Sequence, residues 1–302
     1  RRQEAVRAFN CRAYPALDGL LADAAVELAV IATPTYLHAD YAIQALRAGK
    51  AVVCEKPMAA TLADADRMIA AARETGSILT VFQNRRYDPD FVQVRKVIDS
   101  GKLGRVVLIK IYQQGFGRRW DWQTLKRFGG GSLRNNGVHA LDQALQLLGP
   151  GEPEVFCQMD RVLTLGDADD HVKVVLKAPG APVIDVEITS ACAYPQDAWQ
   201  VMGSLGGLTG STSSLRWKYF KPEELPPREL STAPTPDRSY NRDDIHWYEE
   251  AWSLTGDETP GWARFYLDLF DTLRQGAPLA VTPESVRRVM AVIDRCDRLS
   301  PV

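Results

Sequence analysis

The sequence has 302 residues, of which 45% are hydrophobic and 25% are charged, a composition typical of globular proteins with enough chain for two cores. Its formal net charge of −2 excludes the basic field of proteins that bind nucleic acids or anionic membranes. Its apolar runs are too short to cross a bilayer. We therefore predict neither a nucleic-acid partner nor a membrane partner.

The five cysteines are scattered and form no CxxC pair, which is typical of reduced thiols in a cytoplasmic protein. The four histidines are too far apart in the sequence to indicate a metal site. We predict a cytoplasmic protein without a bound metal.

Residues 1–84 alternate between short apolar runs and helical patterns, which predicts a parallel α/β sheet. Thr61, with Asp64 three residues on, is the expected N-cap of a helix that ends before Gly76. The predicted strands span 27–33, 51–54 and 78–82, and the predicted helices span 1–9, 17–21, 36–48 and 61–75.

The second predicted strand stops at Glu55-Lys56-Pro57, so charge lies just beyond its carboxyl end. Open α/β sheets bind their ligands at this end of the strands. Lys56 is therefore a candidate for chemistry, and the alternative is a strand-end lysine that lies in solvent.

The next predicted elements are a helix over 89–100 and a strand over 105–114, with Asp88 as the N-cap of the helix and Pro89 at its first position. A loop over 115–131 follows, which contains two tryptophans and three consecutive glycines. Loops of this length are often functional.

The rest of the chain changes character, because short strand patterns follow one another without helices, which indicates an antiparallel sheet. Proline and charge over 221–257 predict loops. The predicted strands span 155–163, 171–177, 183–190, 199–202 and 208–211, and the last predicted helices span 262–274 and 283–298.

A predicted helix over 135–148 carries Asn135, His139 and Asp142 on neighbouring parts of one face. A separate apolar stripe begins at Val138. A histidine with a hydrogen-bonding neighbour one turn away suits general acid–base catalysis. The alternative is a histidine that supports the helix structurally.

Together these stretches resemble the glucose–fructose oxidoreductase/inositol dehydrogenase/rhizopine catabolism (Gfo/Idh/MocA) family over nearly the whole chain. Around QNRRYD the chain is most similar to the subgroup with scyllo-inositol-type dehydrogenases. The motifs that carry the resemblance are AVIATPTYLHADYAIQALRAGKAVVCEKPMA, QNRRYDPDFVQVRKVIDSGKLG and GGGSLRNNGVHALDQALQLLG.

The resemblance implies an α/β fold with an incomplete N-terminal Rossmann domain over 1–84. An α+β domain over 85–302 follows, with a large, mostly antiparallel open sheet for substrate binding and oligomerisation. The implied function is hydride transfer between NAD or NADP and a sugar, cyclitol or related polyol. The implied assembly is a homodimer or homotetramer.

The resemblance also assigns residues. Lys56 and His139 are catalytic, Asn135 occupies the position of the third catalytic residue, and the Lys56–Pro57 bond is cis. The residues assigned to the cofactor are Thr33, Pro34, His38, Glu55, Lys56, Pro57 and Asn84. We also expect Arg85 or Arg86, Trp120, Trp122 and Asp142 to contact the substrate. For Asn84, the arginines and the tryptophans, the alternative is surface or core packing.

Two features depart from the family pattern. The aspartate four residues before the histidine is Asn135 here, which can orient His139 but brings no charge, so an imidazolium is less stabilised. No GxGxxG motif precedes the first strand, so we expect a truncated or incomplete sequence. Arg1 and Arg2 give a slight preference for NADP, because arginine binds a 2′-phosphate.

In the expected mechanism the substrate hydroxyl sits between Lys56 and His139. His139 takes the hydroxyl proton as hydride leaves, and Lys56 stabilises the developing alkoxide. Asn135 keeps a second function open, a nicotinamide-binding regulatory protein that has lost catalysis. A third is a glycosidase that uses tightly bound NAD.

Overall fold

The computed structural model describes residues 2–235 and 240–302, so Arg1 lies outside it. The chain divides into two compact units. The first comprises the first 83 residues, 127–129 and 268–294, and the second comprises 84–126, 130–267 and 295–302. The domain boundaries 1–84 and 85–302 stay a prediction. The first compact unit differs from the first predicted domain, because it excludes residue 84 and includes residues 127–129 and 268–294.

The first unit contains a parallel sheet in the order β1-β2-β3, as the strand–helix alternation predicts. Thr61 is the N-cap of α4 (Leu62–Thr75), and its hydroxyl oxygen accepts a hydrogen bond from the backbone N–H of Asp64 at 3.1 Å. Gly76, with φ of +65°, follows the last residue of this helix. The elements are α1 (Arg2–Phe9), α2 (Leu17–Ala22), β1 (Leu28–Ile31), α3 (His38–Arg47), β2 (Ala51–Cys54), α4 (Leu62–Thr75) and β3 (Leu79–Val81).

The second unit contains a sheet of eight strands in the order β11-β10-β9-β8-β4-β7-β6-β5. Among the described residues, β4 and β7 pair in parallel and the other neighbours pair antiparallel. The strands are β4 (Val106–Gln114), β5 (Glu154–Asp160), β6 (His171–Lys177), β7 (Val183–Thr189), β8 (Trp199–Gly203), β9 (Gly206–Gly210), β10 (Ser214–Tyr219) and β11 (Tyr248–Ser253).

Alternate residues of this sheet point to opposite faces, so each face has its own character. Along β6, Val172, Val174 and Leu176 are fully buried, and the residues between them are half-buried. The inner face packs against α6, which contacts β7. The remaining helices are α5 (Pro89–Asp99), α6 (Val138–Leu148), α7 (Gly261–Gln275) and α8 (Pro283–Leu299).

The prediction of loops over 221–257 is wrong for β11, and the sequence pattern does not predict β10. The β11 strand lies at the sheet edge and lacks an apolar alternation, so its sequence resembles a loop. Cross-strand contacts stabilise it, because Tyr248 stacks on Tyr219 with ring centroids 5.7 Å apart. The Glu250 carboxylate also accepts hydrogen bonds from Lys102 Nζ at 2.5 Å and from the Tyr219 hydroxyl at 3.1 Å.

One helix cap and one helix start also differ from prediction. Asp88 occupies the N-cap position of α5 with Pro89 next, but in the described part of the chain its side chain makes no capping hydrogen bond. The α6 helix begins at Val138 rather than Asn135, because Leu133–Gly137 form a π-helical turn. The i, i+4 geometry predicted for Asn135 and His139 therefore does not come from a continuous α-helix.

Candidate functional site

The turn after β2 carries the first candidate catalytic residue. Its Lys56–Pro57 peptide bond is cis, as the resemblance implies. The Glu55 carboxylate accepts the backbone N–H of Lys56 at 3.1 Å, and both side chains are half-buried. The turn therefore holds Lys56 directly beyond the carboxyl end of β2.

His38 joins this turn to the one that follows β1. Its side chain is 1% exposed. Nδ1 lies 2.9 Å from the Pro57 carbonyl oxygen, and Nε2 lies 2.9 Å from the Thr33 carbonyl oxygen. Both ring nitrogens are therefore engaged with the main chain, and a contact between His38 and the cofactor stays a prediction.

Thr33 supplies a polar atom that fits a ligand at the end of β1. Its hydroxyl oxygen is buried and has no hydrogen-bond partner among residues 2–235 and 240–302. A buried hydroxyl without a partner is unfavourable, and a ligand bound at the end of β1 would satisfy it. With the exposed Pro34 beside it and the Glu55 turn on the next strand, this strand edge fits a nicotinamide dinucleotide.

In the second unit, α6 carries His139 and Asp142, which are 5% and 1% exposed. The Asp142 carboxylate accepts Arg86 Nε at 2.7 Å and Arg86 Nη2 at 2.6 Å. Burial raises the pKa of Asp142, and the Arg86 guanidinium opposes that rise. This is a buried two-bond ion pair, so contact between Asp142 and substrate stays a prediction.

The same helix fixes the segment Asn84–Tyr87, which forms a 3-10 turn. Gln143 Nε2 donates to the Arg85 carbonyl at 2.8 Å, one residue before the arginine that binds Asp142. Arg85 has an exposed side chain and Asn84 is half-buried. The helix that bears His139 is thus hydrogen-bonded to Arg85 and Arg86 of this turn.

Close contacts in the loop before α6 exclude side chains at Gly130 and Gly131. A Cβ atom on Gly130 would lie 2.2 Å from the Gln123 carbonyl oxygen. A Cβ atom on Gly131 would lie 2.1 Å from Oδ1 of Asp169, and Gly131 has φ of +112°. Glycine is therefore needed here for both close approach and backbone conformation.

Asn135 uses its amide to bind this loop. Its Nδ2 donates to the Gln123 carbonyl at 3.1 Å, and its backbone N–H donates to the Gly131 carbonyl at 2.9 Å. A carboxylate cannot donate, so the aspartate of the family motif would not make the first bond. The Asn135 substitution is therefore matched to the path of this loop.

Asp169 belongs to the same structure, although the sequence pattern did not single it out. Its carboxylate accepts the backbone N–H of Leu133 at 2.8 Å, and its backbone carbonyl accepts that of Ser132 at 2.9 Å. Burial raises its pKa. The adjacent acidic pair Asp169–Asp170, directly before β6, is the sequence signal that could have identified this position.

Trp120 and Trp122 lie in the loop between β4 and α6, with 76% and 56% of their surfaces exposed. Large exposed aromatic rings are suited to contact with a ligand. Their contact with substrate stays a prediction.

Residues 2–235 and 240–302 contain no cluster of three or more histidine, cysteine, aspartate or glutamate side chains that could hold a metal ion. Their helices are too short or too polar to cross a bilayer.

Known proteins with similar domains match along most of the chain. The model of an oxidoreductase family with an NAD-binding Rossmann fold matches residues 1–83, and the model of the GFO/IDH/MocA C-terminal domain matches residues 91–209. An uncharacterised oxidoreductase of Schizosaccharomyces pombe is 31% identical over 82% of this chain and 67% of its own length.

Two further proteins are similar over nearly the whole chain. The scyllo-inositol 2-dehydrogenase (NADP(+)) of Bacillus subtilis is 26% identical over 92% of this chain and 78% of its own length. The crystal structure of an NAD-binding protein from Listeria innocua matches with a TM-score of 0.81 at 25% identity, over 99% of this chain and 86% of that chain. Both the sequence and the fold thus lead to the same family.

Proposed function

Because this chain belongs to the Gfo/Idh/MocA family of oxidoreductases, we propose that it transfers a hydride between a nicotinamide dinucleotide and the CH–OH group of a polyol. Cyclitols of the inositol type are the first candidates, which the Bacillus subtilis relative supports. The observation that carries the proposal is the pair of turns at the carboxyl ends of β1 and β2. There Lys56 follows β2, and Thr33 has a buried hydroxyl that lacks a partner within the described ranges.

The chemistry divides between the cofactor and two side chains. Bound nicotinamide would accept the hydride from the carbon that carries the hydroxyl group. Lys56 would supply positive charge to the oxygen as alkoxide character develops. His139 would accept the hydroxyl proton at a ring nitrogen and return it when the reaction runs toward reduction.

We favour NADP over NAD. Arg1 lies outside the described residues, but Arg2 and Arg7 line a surface hollow of about 460 Å³ in the first unit. Arg2 also donates from Nη1 to the Tyr14 carbonyl at 3.2 Å. Guanidinium groups suit the 2′-phosphate of NADP, and the Bacillus subtilis relative is named for NADP(+).

We also propose a cytoplasmic homodimer or homotetramer. The five cysteines are free thiols, which supports a reducing compartment. The face of the large sheet that does not pack on α6 has half-buried residues along β6, which supports contact with another subunit. Light scattering coupled to gel filtration would measure the subunit number.

The first test is calorimetric titration of the chain with NADPH and NADH, followed by turnover with inositol isomers and monosaccharides. We expect tighter binding of NADPH and turnover with at least one polyol. Lys56→Met should lower turnover by about 10²–10³-fold while cofactor affinity changes little. Lys96→Met is the matched control, because Lys96 is exposed on α5.

Each outcome has a separate meaning. Dinucleotide binding without turnover on the whole panel would contradict the dehydrogenase proposal and favour a nicotinamide-binding regulatory protein. Normal turnover in Lys56→Met would remove Lys56 from the mechanism. Release of sugar from an aryl glycoside, without net cofactor reduction, would favour the glycosidase.

A further inference from the structure

We propose that Asp169 is a positioning residue for His139, because it caps the helical turn before α6 from the loop that joins β5 to β6. Its carboxylate and its main-chain carbonyl accept hydrogen bonds from two successive residues at the start of that turn. The effect of Asp169 on turnover rests on the proposed function, but its effect on the turn does not.

The start of this turn is not capped by its own side chains. The first N–H groups of a helix have no partner within the helix, so a neighbouring acceptor must satisfy them. Ser132 occupies the N-cap position, but within the described part of the chain its side chain makes no capping hydrogen bond. Leu133 is fully buried, so water has little access to its N–H. A residue from elsewhere in the chain must therefore supply the acceptor.

Asp169 supplies two acceptors at this point. Its carboxylate accepts the N–H of Leu133 at 2.8 Å, and its main-chain carbonyl accepts the N–H of Ser132 at 2.9 Å. A carboxylate at the N-terminal end of a helix also interacts favourably with the helix dipole. The side chain packs directly against Gly131, where a Cβ atom would lie 2.1 Å from Oδ1. A shift of the turn would therefore break two hydrogen bonds and this contact.

The residue after Asp169 ties this acceptor to the large sheet. The N–H of Asp170 donates to the carbonyl of Asp160, the last residue of β5, at 3.0 Å. The carbonyl of Asp170 accepts the N–H of Ser190, which directly follows β7, at 2.9 Å. The Asp169 carboxylate is therefore a fixed point against which the turn is held.

His139 lies between two anchors of the same helix. The π-helical turn that Asp169 caps ends at Gly137, two residues before His139. The ion pair of Asp142 with Arg86 fixes α6 three residues after His139. Without Asp169 only the later anchor remains, and we expect the first turn of α6 to fray. Because a displacement of about 1 Å can slow a catalysed step about 10²-fold, this fraying should reach the chemistry.

Amide hydrogen exchange tests the cap without any activity. Asp169→Ala removes the carboxylate and should raise the exchange rate of the Leu133 amide at least about tenfold, measured residue by residue in ¹H–¹⁵N spectra. Asp169→Asn keeps an acceptor oxygen and should change this rate less than about threefold. If Asp169→Ala does not fold, Asp169→Glu replaces it, because the longer side chain keeps the charge but displaces the carboxylate. Native protection of Leu133 in Asp169→Ala or Asp169→Glu would overturn the proposal.

Asp167 is the matched control, because its carboxylate also accepts a backbone N–H from the same loop. Its partner is Lys126, at 2.8 Å, which lies outside the helical turn. Asp167→Ala should leave the exchange rate of Leu133 and kcat unchanged. Faster exchange of Leu133 in this control would show that any disturbance of the loop loosens the turn, and would contradict a specific role for Asp169.

Kinetics separate positioning from a loss of folded protein. In Asp169→Ala we expect kcat to fall about 10–100-fold while the Kd of NADPH stays within about twofold. The primary deuterium isotope effect on kcat should rise, because a displaced His139 slows the chemical step relative to product release. Asp169→Asn should retain at least about a third of kcat.

The opposite pattern would count against positioning. Fewer NADPH sites per chain, with an unchanged isotope effect, would indicate unfolded protein and contradict the role assigned to Asp169. If the parent chain turns over no polyol, the proposed function fails, while the exchange rates still decide whether Asp169 caps the turn.

Discussion

Replacement of Asp142 by asparagine tests whether the buried ion pair anchors α6. In the native protein the guanidinium of Arg86 reaches both carboxylate oxygens, at 2.7 and 2.6 Å. The two side chains are 10% and 1% exposed. Asp142→Asn keeps the volume, but it removes the negative charge and leaves one acceptor oxygen where two were bonded.

The expected loss in the free energy of unfolding comes from the Arg86 charge, which stays buried without its partner. Removal of one partner of a buried ion pair typically costs about 3–5 kcal/mol, because the other charge is left desolvated and uncompensated. The double variant Arg86→Met/Asp142→Leu removes both charges and should recover most of this loss. The sum of the single effects should therefore exceed the effect of the double variant.

Urea denaturation monitored for the second unit gives the free energies for this cycle. The matched control is Asp297→Asn, because Asp297 accepts two bonds from Arg134 at 3.1 and 2.5 Å in the same unit. The Asp297 side chain is 38% exposed and the Arg134 side chain is 23% exposed, so loss of this pair should lower the free energy of unfolding by about 1 kcal/mol or less. Equal costs for Asp142→Asn and Asp297→Asn would refute the reasoning from burial.

Three further changes test other parts of the structure. Burial and the charge of Asp90 raise the pKa of Asp88 to about 6. The native state therefore binds the carboxyl proton of Asp88 more tightly than the unfolded chain does, and the free energy of unfolding falls as the pH rises from about 4 to 6. Urea denaturation of Asp88→Asn should show a gain of about 1–2 kcal/mol at pH 7, discounted for partial exposure, and little change at pH 4, whereas exposed Asp99→Asn should show neither. Gly131→Ala should cost at least about 2 kcal/mol in the same assay, because it forces a side chain into positive φ and against a buried carboxylate; a neutral effect would contradict the close packing. Asn135→Asp should destabilise more at pH 8 than at pH 4, because the ionised carboxylate repels the carbonyl that the amide now binds; an equal effect at both pH values would contradict that repulsion.

The sequence was sufficient where local chemistry decides the structure. The Thr61 cap, the Gly76 end of α4 and the apolar strand before Glu55 are all local signals, and the structure contains each of them. Lys56 at the carboxyl end of a parallel strand followed from the same pattern. The family motifs added the cis bond, which no periodicity could supply.

The sequence was insufficient where distant segments decide the structure. The π-helical turn before α6 depends on a carboxylate from Asp169, more than thirty residues away along the chain. The partner of Asp142 is Arg86, on a separate turn. The edge strand β11 depends on cross-strand contacts rather than on its own apolar pattern. Spacing along one element cannot reveal such partners.

The parallel pairing of β4 with β7 has a consequence for how the second unit folds. On one side of β4, strands β5, β6 and β7 form a meander, and on the other side β8, β9 and β10 form a second one. Each meander closes through neighbours in the chain, but Ile109 must meet Ile184 of the first and Val201 of the second. Such non-local contacts carry a large loop-closure entropy and slow folding. We therefore expect the pairing of β4 with both neighbours to limit the rate at which the sheet forms, so substitutions on this strand should slow refolding more than equally destabilising ones in the meander turns.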